Sequence, residues 1–113
     1  MSNELTIYGI NNCDTVKKAC NYLDAKSVSY QFVDFRKNPL SPKMINDWIE
    51  IVGWDVLLNK RSTTYRNLPD AQKNNVTIEL FIEQPTLIKR PVLVCDSTVI
   101  VGYKEAQYSQ FIG

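Results

Sequence analysis

The spacing of apolar positions changes several times along the chain, and each spacing predicts one kind of element. Residues 5–8 are a short β-prone run that Gly9 ends, which predicts a strand. An apolar stripe with the i, i+3, i+4, i+7 spacing of a helix face follows, formed by Val16, Ala19, Cys20 and Leu23. A second β-prone run covers residues 29–35. Strand, helix and strand in this order predict a βαβ unit with parallel strands.

The middle of the chain carries mostly helical signals. Ser41 and Pro42 read as an N-cap followed by proline at the first helical position, and Gly53 reads as a helix stop. The stripe between them repeats the helical spacing and consists of Ile45, Trp48, Ile49 and Val52. Shorter helices are predicted over residues 54–59, 70–74 and 77–83. The polar run 60–66 is predicted to be a loop.

Near the C-terminal end the pattern returns to strands. The β-rich runs 92–95 and 98–101 are separated only by Asp96 and Ser97, which predicts a two-residue hairpin and an antiparallel pair. A closing helix is predicted over 106–112. This element order is that of the α/β thioredoxin fold, with a four-stranded mixed sheet and a helical insertion at about residues 41–84. We expect one domain over residues 1–113.

Composition and charge exclude several classes of function. The chain has 113 residues, of which 44% are hydrophobic, and a net charge of +1, so a nucleic-acid surface built on bulk charge is not expected. The sequence has no apolar run long enough to cross a membrane, and residues 1–4 lack the features of a secretory signal. Three irregularly spaced cysteines do not make a disulfide framework, which favours the cytoplasm.

The chain contains no histidine. This excludes histidine-based acid–base catalysis, Ser-His and Cys-His dyads and most zinc sites, and we expect no metal. A reaction at a cysteine must then obtain its thiolate in some other way.

Cys13 is the candidate for such chemistry because it lies between the first strand and the first helix. Unpaired N–H groups and the positive end of the helix dipole meet there, which favours a nucleophilic thiolate. Lys17 and Lys18, one turn further on, add positive charge. The alternative is that Cys13 only caps the helix. Cys20 lies on the apolar stripe about 10 Å further along the helix axis and is predicted to be a buried core residue, although a resolving role stays open.

Two further features suit an anionic ligand. Lys89, Arg90 and Pro91 precede the third predicted strand, and a cis bond at Pro91 would make a fixed turn there. The alternative is an ordinary strand-edge proline beside a solvated arginine. Residues 59–66 hold three cations and several hydroxyls, which suits a carboxylate or oxyanion, although a solvated loop explains them as well. Cys95, in the predicted hairpin, is expected in the core.

Together these features resemble the ArsC/Spx/YffB family, and the YffB-type subgroup most closely. The stretches that carry the resemblance are residues 6–19, 53–61 and 88–94. It implies the thioredoxin fold, a nucleophilic Cys13, an oxyanion contact from Arg90 and a cis-proline at Pro91. It also implies glutathione as co-substrate and a glutaredoxin as a candidate partner. The chain departs from arsenate reductases at Asn59, where Lys60 and Arg61 are the candidates to replace an arginine, and at residues 102–104.

Three functions are therefore compared. The first, which we favour, is an enzyme: a glutathione-dependent thiol oxidoreductase. Its substrate is a small thiol or an oxyanion, and Lys17, Arg61 and Arg90 hold the carboxylates of glutathione or an anionic substrate. The second is an arsenate reductase. The third is a protein-binding regulator that resembles Spx, although Val16 stands where such proteins carry the second cysteine of a Cys-x-x-Cys switch.

Overall fold

The computed structural model describes residues 5–112, and its sheet has four strands. The strands are β1 (Thr6–Gly9), β2 (Gln31–Asp34), β3 (Val92–Cys95) and β4 (Thr98–Val101). Their order across the sheet is β2-β1-β3-β4. β1 runs parallel to β2, whereas the pairs β1–β3 and β3–β4 are antiparallel. This mixed sheet with its helices is the thioredoxin-like fold that the element order predicted.

Seven helices and one 3₁₀ turn complete the described part of the chain. They are α1 (Asp14–Ala25), α2 (Pro42–Val52), α3 (Trp54–Leu57), α4 (Thr63–Arg66), α5 (Asp70–Lys73), α6 (Ile78–Glu83), the turn Pro85–Leu87 and α7 (Glu105–Ile112). None of the helices is long and apolar enough to cross a membrane. The predicted lack of a secretory signal concerns residues 1–4, which lie outside the described residues.

The chain forms two compact units. The first comprises the described residues up to Asn38 and from Arg90 onward, and it holds the sheet, α1 and α7. The second is Pro39–Lys89 and holds α2 to α6, so it includes the predicted helical insertion. That the whole chain is one domain stays a prediction.

The core of the first unit packs α1 and α7 against the sheet. Ile7 pairs with Leu93 between β1 and β3, and both side chains are fully buried. The predicted face of α1 buries Val16, Ala19 and Leu23. These residues form one cluster with Leu5, Cys95 and Tyr108. Burial of Cys95 confirms the prediction for that residue.

A close contact sets the start of α1 over the end of β1. Gly9 is the last residue of β1, and a Cβ atom built on it would lie 2.8 Å from Cγ2 of Val16. Only a residue without a side chain allows α1 to pack this close to the strand. The contact fixes the position of the loop that leads to Cys13.

In the second unit, serine caps start two of the helices. Ser41 Oγ accepts the backbone N–H of Met44 at 3.2 Å, which confirms the predicted start of α2. Gly53, with φ +89°, ends that helix as predicted. The prediction of a loop over 60–66 is wrong in its second half. Ser62 Oγ accepts the backbone N–H of Tyr65 at 3.0 Å, and this cap stabilises the short helix α4.

We predict that Gly9→Ala destabilises the protein by about 1–3 kcal/mol, because its Cβ overlaps Val16 in a packed core. Urea denaturation measures the loss. The same substitution in a Val16→Ala background should cost less, because the methyl groups that it meets are absent. An equal cost in both backgrounds would show that the contact does not matter.

Candidate functional site

Cys13 occupies the N-cap position of α1 without capping the helix through its side chain. Its backbone is extended, with φ −103° and ψ 120°, and its carbonyl oxygen accepts the N–H of Lys17 at 3.0 Å. Its thiol makes no capping hydrogen bond and is half-buried. The sulfur therefore lies at the positive end of the helix dipole, where a negative charge is favourable.

The loop before Cys13, residues 10–12, is held by the buried carboxylate of Asp34 at the end of β2. The backbone N–H of Asn11 donates to Oδ2 at 3.2 Å, and that of Arg36 donates to Oδ1 at 2.9 Å. Asn12 in the same loop has φ +68°, a left-handed conformation that asparagine tolerates. The carboxylate thus ties the loop to the neighbouring strand.

Asp34 is ionised in spite of its burial. Burial would raise its pKa, but the backbone N–H groups of Arg36, Asn11 and Lys37, with the charge of Lys37, outweigh it and lower the pKa. The ionised form is the one that accepts hydrogen bonds on both oxygens. The anchor of the loop is therefore a charge-assisted one.

An open cavity of about 510 Å³, which we call the thiol cavity, lies between α1 and β2. The residues that line it are Ile10, Asn11, Asn12, Cys13, Val16, Lys17, Cys20, Asn21, Tyr30 and Phe32. Lys17 is thus the one predicted cation that the structure brings to the cavity of Cys13 among the residues described. The cavity combines thiols, a cation, amide groups and two aromatic rings.

Cys20 packs against the core cluster but also lines the same cavity, so the prediction that it is a buried core residue is correct only in part. It is half-buried, like Cys13, because it lies at the border of the apolar stripe, on the side of α1 that carries Cys13 two turns earlier. Burial raises the pKa of its thiol, a hydrogen bond from Tyr30 lowers it, and the charge of Asp24 raises it, with a net upward shift. This shift leaves a smaller thiolate fraction on Cys20 at neutral pH than on a free cysteine.

The remaining predicted site residues are not among the described residues that line the thiol cavity. The peptide bond between Arg90 and Pro91 is cis, as the resemblance implied, and Pro91 is fully buried at the start of β3. Lys60 and Arg61 belong to the second unit. Lys60 Nζ lies 3.8 Å from Oδ1 of Asp55, and the backbone N–H of Arg61 donates to Oδ1 of Asn59 at 3.2 Å. Roles for Lys60, Arg61 and Arg90 in anion binding stay predictions.

Sequence reasoning missed Asp34, although a signal for it exists. The carboxyl ends of adjacent parallel strands meet at one edge of a sheet, and Asp34 pairs with Gly9 at the ends of β2 and β1. A polar residue at the end of the second strand therefore belongs beside the loop of Cys13. Tyr30 and Phe32 had no such signal, because alternation of side chains along β2 depends on its register.

Comparison with known proteins gives a consistent result. Residues 8–111 match the ArsC family. An uncharacterized protein of Haemophilus influenzae is 41% identical over 108 residues, which is 92% of this chain and 95% of that protein. The regulatory protein MgsR of Bacillus subtilis is 29% identical over 112 residues, or 95% of this chain and 89% of that protein.

Solved structures agree with this result. The structure of the YffB protein superposes with a TM-score of 0.91 at 37% identity and covers 96% of this chain and 99% of its own. A glutaredoxin from Archaeoglobus fulgidus has a TM-score of 0.50 at 16% identity, covers 98% of this chain and 87% of its own, and shows the fold alone.

We predict that iodoacetamide at pH 7 alkylates Cys13 faster than Cys20 and Cys95. Cys13 is accessible at the helix N-terminus, whereas burial raises the pKa of both other thiols. Peptide mass spectrometry over time gives the three rates. Tyr30→Phe should slow Cys20 further, because its hydrogen bond lowers the pKa of that thiol, and should leave Cys95 unchanged. Faster alkylation of Cys20 than of Cys13 would contradict this assignment.

We predict that Asp34→Asn destabilises the protein by about 1–3 kcal/mol at pH 7, because one partly buried backbone N–H loses its hydrogen bond to a charged acceptor. The pKa of Asp34 is lowered on folding, so its contribution is fully present above the unfolded pKa of about 3.9 and is lost as pH falls through the folded pKa. Urea unfolding of both proteins from pH 7 downward measures the difference. A difference that does not shrink below about pH 4 would assign the loss to another cause.

Proposed function

The chain belongs to the ArsC family, and on that premise we propose that it is a glutathione-dependent thiol oxidoreductase with Cys13 as its single nucleophile. One observation carries the proposal. The thiol of Cys13 lies at the N-terminus of α1, makes no capping hydrogen bond and opens on the thiol cavity beside Lys17. This placement provides activation in a chain that has no histidine to act as a base.

The proposed reaction is thiol–disulfide exchange at Cys13. Its thiolate attacks the glutathione sulfur of a disulfide that contains glutathione. The S–S bond breaks, and the other half of the disulfide leaves as a thiolate. A new S–S bond joins Cys13 to glutathione. A second thiol, from glutathione or a glutaredoxin, then attacks the glutathione sulfur and releases the Cys13 thiolate. The second thiol and the glutathione it removes become one disulfide, and the original disulfide is reduced by two electrons.

The second thiol comes from outside the chain. Val16, three residues after Cys13, is buried and carries no thiol. Cys20 lies about 10 Å from Cys13 along the helix axis, whereas a disulfide needs Cα atoms within about 7 Å of each other. Cys95 is buried within β3. These positions support a mechanism with a single cysteine of this chain.

A regulatory role is the second candidate function. MgsR, a regulatory protein by name, is similar over 95% of this chain, and a regulator that binds a larger protein need not use its thiol catalytically. Arsenate reduction has less support, because Asn59 and residues 102–104 replace arginines that the resemblance to arsenate reductases requires. Lys60, Arg61 and Arg90 would serve an oxyanion in that case.

We predict that glutathione disulfide forms one mixed disulfide, on Cys13, and that a coupled assay with glutathione, glutathione reductase and 2-hydroxyethyl disulfide shows turnover. Intact-protein and peptide mass spectrometry locate the adduct. Cys13→Ser should abolish both results, whereas the matched variant Cys20→Ser should retain them.

Other results would select the other candidates. No adduct on Cys13, together with capture of a protein partner that survives Cys13→Ser, would favour the regulator. Arsenate-dependent oxidation of glutathione that needs Cys13 would favour the arsenate reductase.

A further inference from the structure

A second cavity adjoins the loop of Cys13. It has a volume of about 450 Å³, and its lining is formed by Ile10, Asn11, Asn12, Asp34, Arg36 and Lys37. Residues 10–12 line both this cavity and the thiol cavity. A small molecule bound to Cys13 therefore has two neighbouring spaces into which its ends can extend.

Positive side chains outnumber negative ones in the combined lining of the two cavities. Lys17, Arg36 and Lys37 are cations, and Asp34 is the one carboxylate among the described residues that line either space. Both oxygens of Asp34 already accept backbone N–H groups, and the residue is only 8% exposed. Its charge is therefore committed to the loop, and the combined lining keeps an excess of positive charge.

The charged ends of Arg36 and Lys37 lie open to a ligand, and the charge of Lys37 also helps to lower the pKa of Asp34. Both residues are exposed, and neither side chain makes an ion pair within residues 5–112. Their backbone N–H groups interact with Asp34, and this directs the short segment past the second cavity. A guanidinium group can hold a carboxylate through two parallel N–H bonds, and an ammonium group adds a mobile charge.

We propose that Arg36 and Lys37 form a subsite for one carboxylate of the disulfide substrate, while Lys17 in the thiol cavity holds another. The substrate class is then a small disulfide with carboxylates on both sides of the reacting sulfur. Glutathione has this chemistry, because its cysteine lies between a γ-glutamyl group and a glycine that each carry a carboxylate. The inference rests on the proposed thiol exchange at Cys13 and names the residues that select its substrate.

Two disulfides test the subsite. Glutathione disulfide is anionic, and 2-hydroxyethyl disulfide is neutral, so only the first can use the cations. The readout is the second-order rate constant of mixed-disulfide formation on Cys13, followed by mass spectrometry under low salt. The variants are Arg36→Gln, Lys37→Gln and the double variant. Lys104→Gln is the matched control, because it removes an exposed cation from the first unit that lines neither cavity.

We expect each single variant to slow the reaction with glutathione disulfide about two- to fivefold, and the double variant more, as for exposed ion pairs. The reaction with 2-hydroxyethyl disulfide should stay within twofold of the wild type. Raising the ionic strength should slow the wild type toward the double variant, because salt screens exposed charges. Lys104→Gln should behave as the wild type.

The failures of the two proposals are distinguishable. If wild-type Cys13 reacts with neither disulfide, the proposed function and the subsite both fall. If Cys13 reacts with both disulfides and the double variant changes both rates equally, or changes neither, the subsite is wrong and the thiol exchange stands. An effect of the same size in Lys104→Gln would assign the change to net charge and also overturn the subsite.

Discussion

The hydrogen bond from the backbone N–H of Asn11 to the carboxylate of Asp34 fixes the loop that leads to Cys13. It joins the loop after β1 to the end of β2, and the close packing of Gly9 against Val16 sets α1 above the same point. Because Cys13 is the last residue before α1, its sulfur has little freedom to leave the helix N-terminus. The same carboxylate accepts the backbone N–H of Arg36, so one buried charge positions both Cys13 and the cationic segment of Arg36 and Lys37.

The three cysteines show how burial and helix position divide their roles. Cys95 is buried in β3, and Cys20 lies near Tyr30 and Asp24 in an environment that raises its pKa. Cys13 is partly accessible at a helix N-terminus, beside unpaired backbone N–H groups and the positive end of the helix dipole. Because the chain has no histidine, a histidine base cannot activate any of these thiols, and position at a helix N-terminus distinguishes Cys13 from the other two.

Much of the fold followed from local patterns. The stripe around Val16 and Ala19 predicted α1, and the β-rich runs beside Asp96 and Ser97 predicted the β3–β4 hairpin. Both signals depend on residues a few positions apart. The prediction of a loop over residues 60–66 was wrong in its second half, because the side-chain cap at Ser62 starts a short helix in spite of the polar composition of the segment. The prediction of burial for Cys20 was correct only in part, because a helical stripe does not show where its border meets solvent.

The sequence by itself determined that a cysteine precedes a helix, that no histidine assists it and that the elements follow the thioredoxin order. These properties depend on residue type and on spacing within one element. Only the tertiary structure decided which side chains share space with Cys13. Tyr30 and Arg36 reach its surroundings because β2 pairs with β1 in one register, with Gly9 opposite Asp34. Strand register arises from long-range packing, and no local pattern of residues records it.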